Sequence, residues 1–506
     1  MIRRVKVENG WVRGLPAADP RITSYKGIPF AAKPIGENRW RAPQPCPDWE
    51  GELFAAEFGP IAMQANCAGD PAKDIYSREW AVDAELPMSE DCLYLNVWAP
   101  ADGRKDMPVY VWYFGGGLQV GNTTEMEFDG ERLARRGIVV VTVGYRLNAF
   151  GFLCHPEITA EAPEAPANFG FLDQQCATRW VKRNIAAFGG DPENITIGGQ
   201  SAGGMSVCAQ MSSPQNKGLF QRAIVESGTF VQPYRDRMGL FPISMEAAEA
   251  QGVRFFEALG VKTLAEARAL DARTIEKKSL EMPWGCWGEA VDGVFSTYPS
   301  NEWFLHRDRM WCCPVMLGQT STEFTAAPKA ENAAELAEMA QRCFGGKAEE
   351  FLSMFTQPAT KESIADEGRM HSIAFAIRAA ARMNEAMGID QKLFAYNFDA
   401  EIPGWDNPGT FHSVDLWFFF ETLAKCWRPF TGKHYDLARQ MCDYWVNFIR
   451  TGDPNGLDSQ GNMLPLWPEL KAKDSAWMHF GDVAAPHPWP ESKLEAFLQE
   501  DYLKDR

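Results

Sequence analysis

The 506-residue sequence predicts an α/β fold: a central, mostly parallel, twisted sheet flanked by helices, with helical insertions forming a lid or gorge. Three observations predict it. Near-continuous apolar β-type runs recur along the chain, segments with helical spacing fill the gaps between them, and one run passes through a glycine turn directly into a helix. Strands with unbroken apolar runs are buried on both faces, the condition of a parallel sheet covered by helices.

The elements follow in order. Val5 and Val7 alternate with charged residues and read as a strand running into a turn at Gly10. Val109–Tyr113 and Ile138–Val143 are continuous apolar strands. Asp173–Asn184 carries Ala177, Trp180 and Val181 at helical spacing. Asn194–Ile197 is the strand before the glycine turn, and Gly204–Met211 the helix after it. Ala223–Ser227, Pro314–Leu317 and Leu393–Phe398 continue the sheet. Leu437, Met441, Tyr444, Trp445 and Phe448 lie on one helix face before a Gly452-Asp453-Pro454 stop. Stretches from about 230 to 310 and from about 325 to 390 are mainly helical and read as insertions over the sheet edge. No repeat or linker-like composition break occurs, so the expectation is a single domain over residues 1–506.

Composition narrows the function. Hydrophobic content of 45% and charged content of 23% are ordinary for a globular protein. A net charge of −17 argues against nucleic acid, whose phosphates need Lys and Arg. No apolar run reaches the roughly eighteen residues of a membrane span. No apolar stretch follows Arg3 and Arg4, so no signal peptide is visible and the expected compartment is the cytoplasm. The 12 cysteines never form C-x-x-C, which argues against zinc and for reduced, small core residues. No metal or cofactor is expected.

The chemistry centres on Ser201, in Gly199-Gln200-Ser201-Ala202-Gly203. A G-x-S-x-G turn between strand and helix thrusts a serine hydroxyl out for activation, because only small residues fit around its apex. The competing reading is a serine capping the helix N-terminus. Strand Val109–Tyr113 ends in Phe114-Gly115-Gly116-Gly117-Leu118, where glycines let backbone amides approach a ligand. Gly116, Gly117 and Ala202 are the candidate donors to a tetrahedral oxyanion. The alternative, a phosphate loop, lacks the G-x-x-x-x-G-K-[ST] lysine and the G-x-G-x-x-G spacing. A serine nucleophile needs a histidine and an orienting carboxylate. Of seven histidines, His155 precedes the nucleophile closely, and His371 falls in an amphipathic helical stretch. His306 and His434 have charged neighbours suited to solvent, and His479 and His487 lie in the tail. His412 follows the last clear strand and is the candidate base. The acid must then fall between Ser201 and His412, and Glu323 lies a few residues past Pro314–Leu317. On spacing alone, a helix N-terminal carboxylate favoured by the dipole accounts for Glu323 as well.

Together these residues resemble the type-B carboxylesterases, relatives of the cholinesterases on the α/β-hydrolase fold. The likeness spans nearly the whole chain. Gly27-Ile28-Pro29-Phe30-Ala31, Ser89-Glu90-Asp91-Cys92-Leu93-Tyr94-Leu95-Asn96-Val97, Tyr145-Arg146-Leu147-Asn148 with Gly151-Phe152-Leu153, Asn168–Gln174 and Phe188–Asn194 match family segments in order. The resemblance implies a Ser201–Glu323–His412 triad, the Gly116, Gly117 and Ala202 donors, and a Ser227 that supports the triad by hydrogen bonding. Four departures stand out: Phe114 replaces a His or Tyr, Gln200 a common Glu, and Asp415 a common Glu. The family's early disulfide has Cys92 at one position but Ala62 at the other, with Cys67 five residues later.

The implied activity is a serine carboxylic ester hydrolase working through an acyl-enzyme on a small-molecule ester. An amide, thioester or lactone would suit the same triad, and the family also contains catalytically silent binding proteins. Trp284, Trp287, Phe324, Trp405, Phe411, Trp417, Phe418 and Phe419 lie near catalytic segments or in the insertions. Some are expected to line a pocket for bulky esters; packing beneath the loops is the alternative for each.

Overall fold

The computed structural model describes residues 1–65, 74–80, 85–234, 243–306 and 312–504. Its centre is an 11-stranded sheet. From one edge, the strands are Ala484–Pro488, Ala476–Phe480, Leu393–Phe398, Val315–Thr320, Arg222–Glu226, Gly190–Gln200, Met107–Tyr113, Val139–Val143, Tyr94–Pro100, Ile22–Pro29 and Leu15–Pro16. Pairings from Ala476–Phe480 through to Val139–Val143 are parallel. The outer pairs are antiparallel. The predicted mostly parallel sheet is thus present, with antiparallel margins the apolar runs did not announce.

Burial follows the apolar runs. Val109, Val111, Val139, Val141, Ile195, Ile197, Val315 and Leu317 are fully buried, as strands covered on both faces require. Parallel neighbours need crossover connections, and helices supply them. Helix Phe169–Asn184 buries Ala177, Trp180 and Val181. Helix Gly432–Thr451 buries Leu437, Met441, Tyr444, Trp445 and Phe448. It ends at Gly452, whose φ of 80° takes the left-handed turn that glycine adopts without a Cβ penalty. Helices Met245–Leu259, Leu264–Ala269 and Ala272–Leu280 fall between Arg222–Glu226 and Val315–Thr320. Ala333–Phe344 and Ser372–Ala386 precede Leu393–Phe398.

Two sequence segments acquire a structural meaning. Arg146 and Asp173 form a buried ion pair at 2.7 Å, joining the Tyr145–Asn148 segment to the first turns of helix Phe169–Asn184. Arg39 grips both carboxylate oxygens of Glu90 at 2.6 Å, also buried. Buried pairs of this kind tolerate loss of one partner badly, because the other charge is stranded.

The topology creates one special place. From Met107–Tyr113 the chain steps to Val139–Val143 on one side, then crosses to Gly190–Gln200 on the other. Loops leaving the carboxyl ends of two adjacent strands diverge at such a reversal and leave a crevice, where open α/β sheets bind ligands. Tyr113 and Gly199 pair across that boundary, so the glycine loop and Ser201 emerge side by side.

Candidate active site

Ser201 sits at the strand–helix junction with φ 56° and ψ −124°. A non-glycine residue there is strained, and surrounding bonds must hold it. The Ser201 amide donates to the Glu226 carbonyl at 2.9 Å, and the Ser201 carbonyl accepts from the Met205 amide at 2.9 Å. The motif glycines are required by contact. A Cβ on Gly199 would lie 2.4 Å from the Gly203 carbonyl oxygen, and one on Gly203 would lie 2.0 Å from that of Tyr113. Ser201 does not cap the following helix with its side chain, so the competing capping role is absent.

The glycine loop arches beside it. Gly116 (φ 103°) and Gly117 (φ 65°) occupy backbone conformations that L side chains rarely adopt. The Gly116 carbonyl accepts amides of Gln119 and Val120 at 3.0 and 3.1 Å, closing the turn. The Gln119 side chain bonds the carbonyls of Gly117 at 3.1 Å and Trp287 at 2.6 Å. Gln64 pairs with the backbone of Gly121 in both directions, at 2.8 and 3.0 Å. Neither glutamine carries a sequence signal that would have singled it out. Gly115 packs against Gln200 and Ser201, its would-be Cβ 3.1 Å from the Ser201 Cβ. Among the described residues, the Gly116 and Gly117 amides donate to no backbone carbonyl. Phe114 lies beneath, stacked on Tyr145 at 4.3 Å, and its carbonyl accepts the Tyr145 hydroxyl at 2.7 Å.

His412 and Glu323 are brought together. The imidazole Nδ1 lies 2.8 and 2.9 Å from the two Glu323 carboxylate oxygens. That geometry places the proton on Nδ1 and leaves Nε2 as an acceptor. Burial alone would raise the Glu323 carboxyl. The His412 imidazole beside it, the Ser227 hydroxyl and the Thr320 backbone outweigh burial and hold it below the usual carboxylate range. Thr320 also donates its hydroxyl to Glu323 at 3.3 Å. Ser227 Oγ is fully buried beside Glu323 and meets no partner at full hydrogen-bonding geometry. At Nε2 the neighbour is the Gln200 amide, 3.2 Å away and buried. No Ser201–His412 hydrogen bond of normal geometry is formed among the described residues.

Other expectations sort by burial. Trp417, Phe418 and Phe419 are fully buried core residues: Phe419 packs on Trp112 at 5.6 Å and Phe418 on Phe398 at 4.8 Å. Trp287 is buried against Phe255. Phe411 is buried edge-on to Trp80. Trp284, by contrast, is 68% exposed and lies directly over Gly117. Phe324 is exposed and packs 4.9 Å from the His412 ring. Trp405 is exposed beside Trp427, with the Arg78 guanidinium near both. His434 departs from its expected solvent position: it is buried, caps helix Gly432–Thr451 and bonds the Glu401 carbonyl at 3.0 Å. His371 stands at the N-cap of Ser372–Ala386 rather than within a helix. Cys92 is a buried free thiol, and Cys67 lies outside the described residues. No group of His, Cys, Asp and Glu among the described residues could hold a metal ion, and no helix among them is long and apolar enough to cross a membrane.

Comparison with known proteins gives the family and the fold. The pattern of the carboxylesterase family matches residues 2–494. Para-nitrobenzyl esterase of Bacillus subtilis (strain 168) is 32% identical over 477 residues, covering 89% of this chain and 90% of its own. Cholinesterase of Mus musculus is 29% identical over 507 residues, covering 93% and 82%. A solved PNB esterase superposes with a TM-score of 0.77 at 28% identity, over 98% of this chain and 100% of its own. The carboxylesterase EST55 of Geobacillus stearothermophilus, solved at pH 6.2, gives 0.77 at 29% identity over 98% and 100%. The chain therefore belongs to the carboxylesterase family, with the α/β-hydrolase fold, and is a carboxylic ester hydrolase.

Proposed function

We propose that hydrolysis proceeds through an acyl-enzyme on Ser201, with His412 as general base and Glu323 as its orienting acid. The observation that carries this reading is the two-oxygen grip of Glu323 on His412 Nδ1, which leaves Nε2 on the side of Gln200, the residue before Ser201. Nε2 takes the Ser201 proton as the hydroxyl attacks the ester carbonyl. The Gln200 amide at 3.2 Å is a long contact, and the reading requires Nε2 to exchange it for the Ser201 hydroxyl once substrate arrives. The amides of Gly116, Gly117 and Ala202 receive the oxyanion, each worth a few kcal/mol in the transition state. His412 returns the proton to the leaving alcohol, and water repeats the cycle to release the acid.

Ser201→Ala tests the reading. Turnover of an aryl ester should fall by roughly 10⁴-fold or more, and labelling by a fluorophosphonate probe should vanish. Retained turnover would overturn it. The exposed indole of Trp284 over Gly117, with Phe324 beside His412, favours esters with an aryl or other bulky flat group, in keeping with the relative named for a para-nitrobenzyl ester. A panel varying acyl and alcohol size separately should show this preference; a strong preference for small acetyl esters of small alcohols would contradict it.

A further inference from the structure

Behind the site lie two acidic side chains that the reaction does not use. Glu226 ends strand Arg222–Glu226, and its carbonyl takes the Ser201 amide at 2.9 Å. Asp415 stands on the loop of His412, three residues on. Both side chains are fully buried. Glu226 Oε1 accepts the Trp445 indole N–H at 2.7 Å, and Asp415 Oδ2 accepts the Tyr396 hydroxyl at 2.8 Å. The Tyr396 and Trp445 rings meet edge-on at 5.2 Å, so the two donors frame one compartment. The second oxygens, Glu226 Oε2 and Asp415 Oδ1, are each sealed from solvent without a partner. No arginine or lysine among the described residues pairs with either carboxyl.

Two ionised carboxylates cannot stand together in such a place, and each orphaned oxygen is a desolvation cost. One proton between them removes both penalties with a charge-assisted O–H···O⁻ bond. We propose that Glu226 and Asp415 share a single proton, Glu226 as the acid and Asp415 as the carboxylate, and that this bond ties the strand end bracing Ser201 to the loop carrying His412. Burial, then the Asp415 charge, pushes the Glu226 carboxyl well above its usual range, and burial raises the Asp415 carboxyl as well. The other titratable groups facing the pair are Tyr396 from Leu393–Phe398, two strands away, Tyr110 from Met107–Tyr113, and Glu323 and His412 on the site side. Loss of the shared proton would leave two repelling charges between the brace and the base loop, so activity should fall again at alkaline pH.

The kinetic consequence rests on the Ser201–His412–Glu323 reading, whereas the shared proton does not, and the experiment separates them. Infrared difference spectra of the full chain, wild type minus E226Q, should show one carbonyl band of a protonated carboxylic acid at neutral pH. D415N, in which the acid stays on Glu226, should keep a shifted form of that band. In kcat/KM profiles E226Q should lose the alkaline fall and keep the rising limb in place, because the pair keeps a single negative charge. D415N removes that charge and should move the rising limb to lower pH. Absence of the acid band at neutral pH overturns the proposal, as does a rising limb that moves down in E226Q, since Glu226 would then have been ionised. The band is read without turnover, so it stands or falls whatever Ser201→Ala does.

Discussion

At the scale of single residues, the site depends on which charge is absent as much as on which is present. Gln200, buried and 3.2 Å from His412 Nε2, offers the imidazole a neutral donor where a carboxylate would offer a counter-charge. A carboxylate there would favour the protonated ring, which is inactive as a base. Gln200→Glu should therefore shift the rising limb of the kcat/KM profile upward by about one pH unit or more. An unmoved limb would mean that position 200 does not face the base. On the other side of the ring, Glu323 fixes the Nδ1 proton. Glu323→Gln would let the amide donate to Nδ1 and move the proton to Nε2, the wrong tautomer for attack. We expect kcat to fall about 10⁴-fold without loss of fold, as for an amide placed behind a catalytic histidine elsewhere. Single-turnover kinetics together with the circular dichroism spectrum would check both halves of that statement.

At the scale of elements, the strand–turn–helix around Ser201 has almost no slack. Gly203→Ala would drive a methyl into the Tyr113 carbonyl, 2.0 Å away, in a place where neighbouring backbone has nowhere to go. We expect at least about 1–3 kcal/mol of lost stability, read as a lower denaturant midpoint, and a larger loss of turnover as the Ser201 turn is displaced. A variant as stable and active as the parent would show that the turn has room. This element was legible because its constraints are local: glycines at fixed spacing, a β-rich run before, a helix after. Fully buried strands such as Val139–Val143 were legible for the same reason. Strand Gly190–Gln200 was visible only at its apolar centre, since Gly190, Pro192, Gly198 and Gly199 hide its ends. The edge strand Ala484–Pro488 carries Pro486 and Pro488, too much proline to announce a strand, and edge strands permit it. Trp417, Phe418 and Phe419 show the other limit: an aromatic run beside the proposed base reads alike whether it lines a pocket or fills a core, and only tertiary packing decides. His434 misled by its charged neighbours, since its own ring caps a helix beneath them. The pairing proposed for Glu226 and Asp415 joins positions far apart in the chain, and nothing in either local sequence points to the other.

At the scale of the whole molecule, the buried acids set how stability depends on pH. Burial raises the Glu289 carboxyl to about 7, despite its bonds from Ser296 and Ser300. Burial likewise raises Glu125 to about 7, and lifts Glu127, Glu226 and Asp415. Over the window from the ordinary glutamate value of 4.5 to about 7, the folded chain holds protons here that the unfolded chain has released. Stability therefore falls as pH rises through that window, by about 3 kcal/mol for a fully buried group shifted as far as Glu289. The opposite sign holds for Glu161, lowered to about 2 mainly by Arg268 and Arg41, and for Glu323: their contribution is present above the unfolded value and lost as pH falls. Net charge acts in the same direction as the buried acids, since a chain of sequence pI about 5.0 repels itself increasingly at higher pH. These terms together put maximal stability on the mildly acidic side. We expect a higher thermal midpoint near about pH 5.5 than near about pH 8, with the slope reduced in Glu289→Gln, whose amide keeps the shape of the acid but has no proton to release. A midpoint that rises steadily from the first pH to the second would mean that groups of the opposite sign, among them His155, His371 and His479, whose imidazoles burial lowers, outweigh the raised carboxyls.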